Sequence, residues 1–196
     1  MTPVTRDTSR KRTEILNAAA RVFIEVGYDR ASMDAIADEA GASKRTVYNH
    51  FPSKEELFGQ VIQRFMSDAQ QLKRVRYEAD KGLESQLAQF AHAMRQPTRD
   101  PIWLGLMRVI TTSPAVVDEV VTQVSREEDT LAVWIRAANA DGRLAAPDPD
   151  LAAQAFWAML SGAFLMPAIF ATPVPETQAE RIQEELVGMF LARYLP

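Results

Sequence analysis

The segment spanning residues 32–54, SMDAIADEAGASKRTVYNHFPSK, constrains the fold more than any other part of the chain. Ser32 is a good helix N-cap, and Gly41 can take the left-handed conformation that ends a helix. Between them, small and apolar side chains recur along one helical stripe. Ser43 opens a second helix, which Pro52 closes. The pattern predicts two short helices joined by a tight turn.

The second helix of this segment has one apolar side and one polar side. Val47 and Phe51 lie four residues apart and are expected to face the interior. The other positions carry hydrogen-bonding side chains: Lys44, Arg45, Thr46, Tyr48, Asn49 and His50. Two cations in the first turn oppose the helix dipole, at a cost of roughly 0.3–1 kcal/mol each. Their placement favours contact with DNA phosphates and bases, with a solvated charged turn as the alternative.

A longer segment, residues 10–57, repeats a known order of elements: a helix, a Gly-Tyr turn, a helix, a Gly-x-Ser turn, and a helix ending in Tyr-x-His-Phe-x-x-Lys. On these residues the chain resembles the TetR/AcrR family of transcriptional regulators. The resemblance implies an all-α protein whose N-terminal helix-turn-helix head of three helices joins a larger helical ligand-binding and dimerisation domain. We therefore expect the DNA-binding domain at residues 1–54 and the effector-binding and dimerisation domain at residues 55–196.

The resemblance also implies roles for single residues of the motif. Tyr48, His50 and Lys54 match family positions that hold phosphates. The positions that reach base edges in the major groove are occupied by Lys44, Arg45, Thr46 and Asn49. Lysine and arginine donate to guanine, asparagine pairs with adenine, and a threonine methyl contacts a thymine methyl. Ser32 is expected to add a phosphate contact. For His50, packing beside Phe51 is the alternative.

Charge and composition limit the classes of protein. The sequence has no cysteine, which excludes disulfides, thiol nucleophiles and iron–sulfur clusters. Residues 1–54 hold nine Lys or Arg and seven Asp or Glu, and residues 55–196 hold thirteen and nineteen, so balances of +2 and −6 make up the net charge of −4. A slightly positive head fits DNA but is far from a strongly basic footprint. No apolar stretch follows the basic N-terminus, so we expect a cytoplasmic protein without a secretory signal.

Two further helices flank the motif, one before it in the predicted head and one after it. The first covers about residues 10–26 and ends at Gly27. Basic residues at its start form a short arm that is either a solvated tail or a contact to the DNA backbone: Arg6, Arg10, Lys11 and Arg12. The fourth helix is predicted from Ser53, with a capping box to Glu56, toward Leu72. The resemblance implies that this helix couples the two domains, and a rigid connection is the alternative.

The rest of the chain alternates apolar helical stretches with Pro, Gly and Asp. Helices are predicted over residues 83–95, 101–112, 114–140, 149–170 and 176–195. The run at 155–170, AFWAMLSGAFLMPAIF, is shorter than the roughly 20 residues of a membrane span and contains Pro167, so we expect burial in protein and no membrane. The last two helices are predicted to form a four-helix bundle across a two-fold axis. A homodimer would read a palindromic, double-stranded DNA operator.

Bulky side chains in the C-terminal helices indicate a ligand pocket: Trp103, Met107, Trp134, Phe156, Trp157, Met159, Phe164 and Met166. Ordinary core packing is the alternative. The hypothesis is a repressor that a small hydrophobic or aromatic effector releases from its operator. No cofactor, metal site or catalytic residue is expected, because no Gly-rich phosphate loop or HExxH is present and the two histidines, His50 and His92, lack metal spacing. The alternative function is a helical small-molecule-binding protein without DNA binding.

Overall fold

The structure is a computed structural model that describes residues 4–66, 75–113 and 129–196. All regular elements within these ranges are helical, which confirms the predicted all-α class. The helices are α1 (Val4–Val26), α2 (Met33–Glu39), α3 (Lys44–His50), α4 (Lys54–Met66), α5 (Leu83–Arg95), α6 (Pro101–Thr112), α7 (Thr130–Ala140), α8 (Pro149–Leu160), α9 (Met166–Ile169) and α10 (Glu176–Tyr194). A 3-10 turn, Gln96–Arg99, follows α5, and a π-helical segment, Ser161–Leu165, joins α8 to α9.

The helix-turn-helix is fixed by the local signals that the sequence predicts. The Ser32 hydroxyl accepts a hydrogen bond from the backbone N–H of Ala35 at 3.1 Å and caps α2. Gly41 has φ 53°, the left-handed conformation that ends the helix. The Ser43 hydroxyl then accepts from the N–H of Thr46 at 3.1 Å and starts α3. The two short helices therefore form where the caps and the glycine place them.

The described residues pack as two compact units. The first contains residues 4–66 and 101–113, in which α2, α4 and α6 pack on α1. The second contains residues 75–100 and 129–196, in which α5, α8 and α10 share a core with α7. The first unit extends past residue 54 because α4 and α6 bury side chains with α1. The division of function between residues 1–54 and 55–196 stays a prediction.

Two of the predicted elements differ at their N-terminal ends. α1 begins at Val4, before the predicted start at about residue 10, so the basic residues of the predicted short arm all lie within a helix. Residues 114–128 of the predicted helix 114–140 lie outside the described residues, as does the predicted extension of α4 toward Leu72. A single helix through residue 129 is wrong, because Asp129 has ψ 113° and its carboxylate caps the N–H of Leu131 at 2.8 Å.

The predicted helix over residues 149–170 contains a local defect before its proline. Pro167 lacks a backbone N–H, and the N–H of Met166 donates instead to the carbonyl of Ser161 in a π-helical bond. The stretch Pro149–Ile169 is long and apolar enough to cross a membrane, and 39% of its most apolar part is buried inside the protein. A core helix of a soluble protein can have the same length and composition, and Phe156 and Leu160 lie in the core of the second unit.

Candidate DNA-binding surface

Helix α3 has one buried side and one exposed side, as the sequence predicts. Val47 and Phe51 are 0% exposed and belong to the core of the first unit. On the opposite side, Tyr48 is 49% exposed and Arg45 and Asn49 are also exposed. Had these side chains been buried, the helix would have been unable to enter a DNA groove. The structure therefore leaves the polar face of α3 accessible, and contact with DNA stays a prediction.

The two cations at the start of α3 have different surroundings. The Lys44 ammonium donates to the Asp34 carboxylate of α2 at 2.5 Å, and both side chains are more than half exposed. This hydrogen bond and the negative charge of Asp34 raise the pKa of Lys44. Arg45 has no hydrogen-bond or ion-pair partner among the described residues. Arg45 is therefore the cation of α3 that is ready to bind an external anion or a guanine edge.

Three other predicted DNA contacts also hold the head together. The Thr46 hydroxyl lies 2.8 Å from the Ser43 hydroxyl at the cap of α3. The half-buried ring of His50 lies 6.3 Å from the ring of Phe51, at a tilt of 43°. Ser32 remains exposed while its hydroxyl caps α2. Each of these side chains thus has a structural contact in addition to any contact with DNA.

Lys54 is directed at the turn between α1 and α2. Its ammonium donates to the backbone carbonyls of Tyr28, Asp29 and Ala31 at 2.9, 3.4 and 3.2 Å. It also lies 4.4 Å from the centroid of the Tyr28 ring. An ammonium has three N–H donors, so these carbonyls engage all of them. The resemblance implies a phosphate contact for Lys54, and the geometry adds a role in holding this turn.

Lys11 holds the second turn of the motif in the same way. Its ammonium donates to the carbonyls of Ala40 and Gly41, both at 3.2 Å, and to the Glu14 carboxylate at 3.2 Å. The sequence interpretation placed Lys11 in a basic arm and missed this contact, since the acceptors lie about thirty positions further along the chain. The i,i+3 spacing with Glu14 was the only local signal of its orientation.

Arg12 was likewise assigned to the arm and instead packs inside the head. Its guanidinium lies 4.9 Å from the centroid of the Phe51 ring, and its Nη2 donates to the Gln60 side chain at 3.1 Å. The contact places a cation against the aromatic residue that ends α3. Arg12 thereby ties α1 to both α3 and α4.

Tyr28, in the turn after α1, and Glu55, on α4, form a polar contact within the first unit. The Tyr28 hydroxyl donates to Glu55 Oε1 at 3.1 Å. Burial, followed by the negative charge of Glu55, raises the pKa of Tyr28 to about 12. The pKa of Glu55 is lowered, first by its own backbone N–H and then by the Ser53 side chain. Ser53 also accepts from the N–H of Glu56 at 3.1 Å, which is the serine half of the predicted capping box. The carboxylate that contacts Ser53 belongs to Glu55 and not, as predicted, to Glu56.

The predicted ligand-binding side chains divide between the two compact units. The second unit brings together Trp134, Phe156, Trp157, Met159 and Phe164. Trp103 and Met107 are 9% exposed and lie on α6 of the first unit. Met166 is 38% exposed. The sequence interpretation missed Phe90 on α5, whose ring centroid lies 6.1 Å from that of Trp134 and 6.0 Å from that of Trp157.

Polar partners orient the two tryptophans of this aromatic cluster. The indole N–H of Trp134 donates to the buried Gln86 side chain at 3.1 Å. The indole N–H of Trp157 donates to the Asp129 carboxylate at 2.8 Å. Both bonds fix a ring by its polar edge and leave its faces for apolar contacts. Binding of an effector by this cluster stays a prediction.

Comparison with protein families covers both parts of the chain. The family model described as bacterial regulatory proteins, tetR family, matches residues 15–61. The model of the AefR-like transcriptional repressor, C-terminal domain, matches residues 85–196, which is more than half of the chain. The matched ranges contain the helix-turn-helix and the aromatic cluster, respectively.

Known proteins and structures agree with this match. A TetR family transcriptional regulator from Pseudomonas syringae pv. tomato str. DC3000 has a TM-score of 0.81 and 35% identity, covering 95% of this chain and 97% of that chain. The flavonoid-responsive regulator FrrA has a TM-score of 0.74 and 27% identity, covering 96% and 98%. The transcriptional activator FasR of Mycolicibacterium smegmatis is 48% identical over 58 residues, which are 30% of this chain and 26% of FasR. The match thus spans about a quarter of that relative. The chain belongs to the TetR family of bacterial regulatory proteins.

Proposed function

We propose that the protein is a cytoplasmic, sequence-specific DNA-binding transcriptional regulator, and not an enzyme, that inserts α3 into the major groove. The observation that carries the proposal is the two-sided α3, with Val47 and Phe51 fully buried and the polar face exposed. A helical ligand-binding protein without DNA binding would have no need of a capped, cation-bearing helix at its surface. The intact face of α3 therefore favours the regulator over this alternative.

The polar face divides into base and phosphate contacts. Arg45 is the principal base-reading residue, because its guanidinium is exposed and its two-pronged edge fits guanine O6 and N7. Lys44 reaches a base or phosphate after exchanging its contact with Asp34, while Asn49 and Thr46 read neighbouring bases. The phosphate contacts come from Ser32, Tyr48, His50 and Lys54.

Lys54 has two possible contributions that an experiment separates. In Lys54→Met, loss of a phosphate contact would make the negative slope of log affinity against log salt shallower by about 0.9. Loss of the bonds to the carbonyls of Tyr28 and Ala31 would instead lower stability by about 1 kcal/mol without changing that slope. Equilibrium unfolding and a salt titration of DNA binding together measure both effects.

We place the homodimer interface on the last two predicted helices, which are α8–α9 and α10 in the structure. Large apolar side chains are exposed on both: Leu151 60%, Met166 38%, Phe170 74% and Met189 53%. A Cβ added at Gly162 or Gly188 would meet no atom within 4 Å, so these positions leave room for another chain to approach. Exposed apolar surface of this extent is typical of an association surface. A two-fold dimer presents two heads to a palindromic operator.

The proposed regulation is repression that a small hydrophobic or aromatic effector relieves. The aromatic cluster of the second unit supplies apolar walls, with Trp134 and Trp157 oriented by hydrogen bonds. The family model for its C-terminal part is named for a repressor, and one structural relative is a flavonoid-responsive regulator. Effector binding in this unit would favour a state of the dimer whose heads no longer fit the operator.

Selection of bound sequences from a random DNA pool tests the proposal directly, and a palindromic consensus is the expected result. On that consensus, Arg45→Ala is expected to weaken binding by about 5- to 150-fold, corresponding to one lost base contact of about 1–3 kcal/mol. Arg21→Ala is the matched control, since Arg21 is an exposed arginine on α1 that pairs with Glu39 at 2.6 Å. Equal losses in the two variants, or no enrichment of any sequence, would refute the proposal.

A further inference from the structure

The buried face of α5 ends in a charge. This face consists of Leu83, Gln86, Leu87, Phe90, Ala91 and Arg95. Arg95 is 7% exposed, although it continues the stripe of Phe90 and Ala91 by one helical turn. Arginine is rarely buried to this degree unless all of its donors are paired. The side chain therefore needs an explanation beyond packing.

The guanidinium of Arg95 is only partly paired. Its Nη2 lies 3.2 Å from Glu176 Oε1, and Glu176 also binds the guanidinium of the neighbouring Arg99. Nε and Nη1 of Arg95 are buried and have no hydrogen-bond partner among the described residues. Nη2 carries two N–H groups, so when one of them faces Glu176 the other lies beside Nε or Nη1 and forms an open two-donor edge with it.

Burial of this edge disfavours the positive charge of Arg95, and a bound anion would offset that effect. Burial and the positive charge of Arg99 lower the pKa of Arg95, while the negative charge of Glu180 raises it. An anion with a single charge would offset both unfavourable effects on the guanidinium. A dianionic phosphate fits less well, because Glu176 and Glu180 lie nearby.

We propose that Arg95 binds the carboxylate of a small organic acid whose apolar part packs against the aromatic cluster of Phe90, Trp134 and Trp157. The planar open edge of a guanidinium matches the two oxygens of a carboxylate. Phe90 precedes Arg95 by five residues, which is about 7.5 Å along a helix axis. This spacing suits a carboxylate joined to one ring or a short alkyl chain. The proposal rests on the effector-binding role of the second unit and specifies the chemistry of the effector.

Matched acids and amides test the proposal on the whole protein. Calorimetry would compare octanoate with octanamide, 4-phenylbutyrate with 4-phenylbutyramide, and 2-naphthoate with 2-naphthamide. At least one acid is expected to bind about 10-fold or more tightly than its amide. Sodium acetate is the control for the anion alone and is expected to bind no better than chloride. Equal binding of every acid and its amide, binding of acetate as strong as that of the acids, or no binding of any acid at about 1 mM would each overturn the proposal.

Substitution of the arginine gives a second test. Arg95→Met, which keeps an apolar side chain of similar length, is expected to reduce acid binding about 10-fold or more while leaving amide binding unchanged. Arg76→Met removes an exposed arginine of the same unit and is expected to change neither. Acid binding that survives Arg95→Met would refute the assignment. If that variant fails to unfold cooperatively, the comparison of acids with amides on the unmodified protein still decides.

DNA binding by the unmodified protein separates this proposal from the function on which it rests. A protein that binds a selected operator but shows no preference for acids contradicts only the role of Arg95. A protein that prefers acids and enriches no DNA sequence contradicts the regulator and leaves the acid site in place.

Discussion

In both compact units, side-chain donors bind the backbone carbonyls of turns, but the donor side chains differ in how far they are buried. In the first unit, Lys54 and Lys11 reach the turns on either side of α2, and both lysines are partly exposed. In the second, the amide nitrogen of Gln86 donates to the carbonyls of Glu78 and Lys81 at 2.9 and 3.1 Å, and Gln86 is 0% exposed. Arrangements of the same kind therefore face very different competition from water.

Burial of the side chain determines how much each contact contributes to stability. When a partly exposed lysine is removed, water replaces it at the carbonyls. Gln86 also accepts hydrogen bonds from the N–H of Glu78 at 2.9 Å and from the indole of Trp134, which is 1% exposed. Removing Gln86 would leave that indole donor without water or protein as a partner. We therefore expect the second unit to be more sensitive to the loss of one polar side chain.

The largest effect is expected for Gln86→Leu. The substitution keeps the approximate size of the side chain. It leaves the Trp134 N–H without an acceptor and removes the hydrogen bonds to the carbonyls of Glu78 and Lys81. Stability should fall by about 2–4 kcal/mol, measured by chemical denaturation. Gln89→Leu, on the exposed side of α5, is the control and should change stability by less than about 0.5 kcal/mol. Similar losses at both positions would show that burial does not set the difference.

The same contrast explains what sequence could predict. Local signals define the helix-turn-helix, because the caps at Ser32 and Ser43 and the turn at Gly41 involve residues only three or four positions apart. The motif could therefore be predicted from the sequence. Lys54 and Arg12 find partners 23–48 positions away, at the turn before α2 and on α4. Such contacts depend on how helices pack, which a single helical stripe does not specify.

In the second unit the missed features are mainly of this long-range kind, and the Asp129 cap is a local exception. Phe90 reads as one more apolar position of α5, and only packing places its ring between Trp134 and Trp157. Asp129 lies within a run whose apolar spacing suggested one continuous helix, yet its carboxylate caps a new one and binds the Trp157 indole. The buried Arg95 carries no sequence signal at all, because an arginine at a helix end is ordinarily exposed.

An intermediate effect is expected for Tyr28 at alkaline pH. Its pKa is about 12 in the folded head and close to 10 when unfolded, so its stabilising contribution is complete below pH 10 and is lost as pH rises through 12. The unmodified protein should lose about 2–3 kcal/mol over this range relative to Tyr28→Phe. Near pH 7 the variant should be less stable by about 1 kcal/mol, because the bond to Glu55 is gone.

The unmodified protein is thus expected to be more stable than Tyr28→Phe at pH 7 and less stable at pH 12. Unfolding curves at pH 7, 10 and 12 measure this change. Tyr194→Phe is the control, since this half-buried tyrosine lies on α10 in the other unit. A stability difference between the unmodified protein and Tyr28→Phe that stays constant from pH 10 to 12 would contradict the assignment.

The smallest effect is expected for Lys11→Met, the exposed counterpart of the change at Gln86. The variant loses the bonds to the carbonyls of Ala40 and Gly41, but water reaches both once the ammonium is gone. Stability should fall by about 1 kcal/mol, or about 2–4 °C in Tm for a chain of this size. Arg10 is the control, because its side chain is 81% exposed and is paired with Glu14. The stability of Arg10→Met should be lower by less than about 0.5 kcal/mol. If Lys11→Met matched the loss in Gln86→Leu, exposure would not govern the value of these contacts. If it matched Arg10→Met instead, the Lys11 ammonium would contribute to the head only as a surface charge.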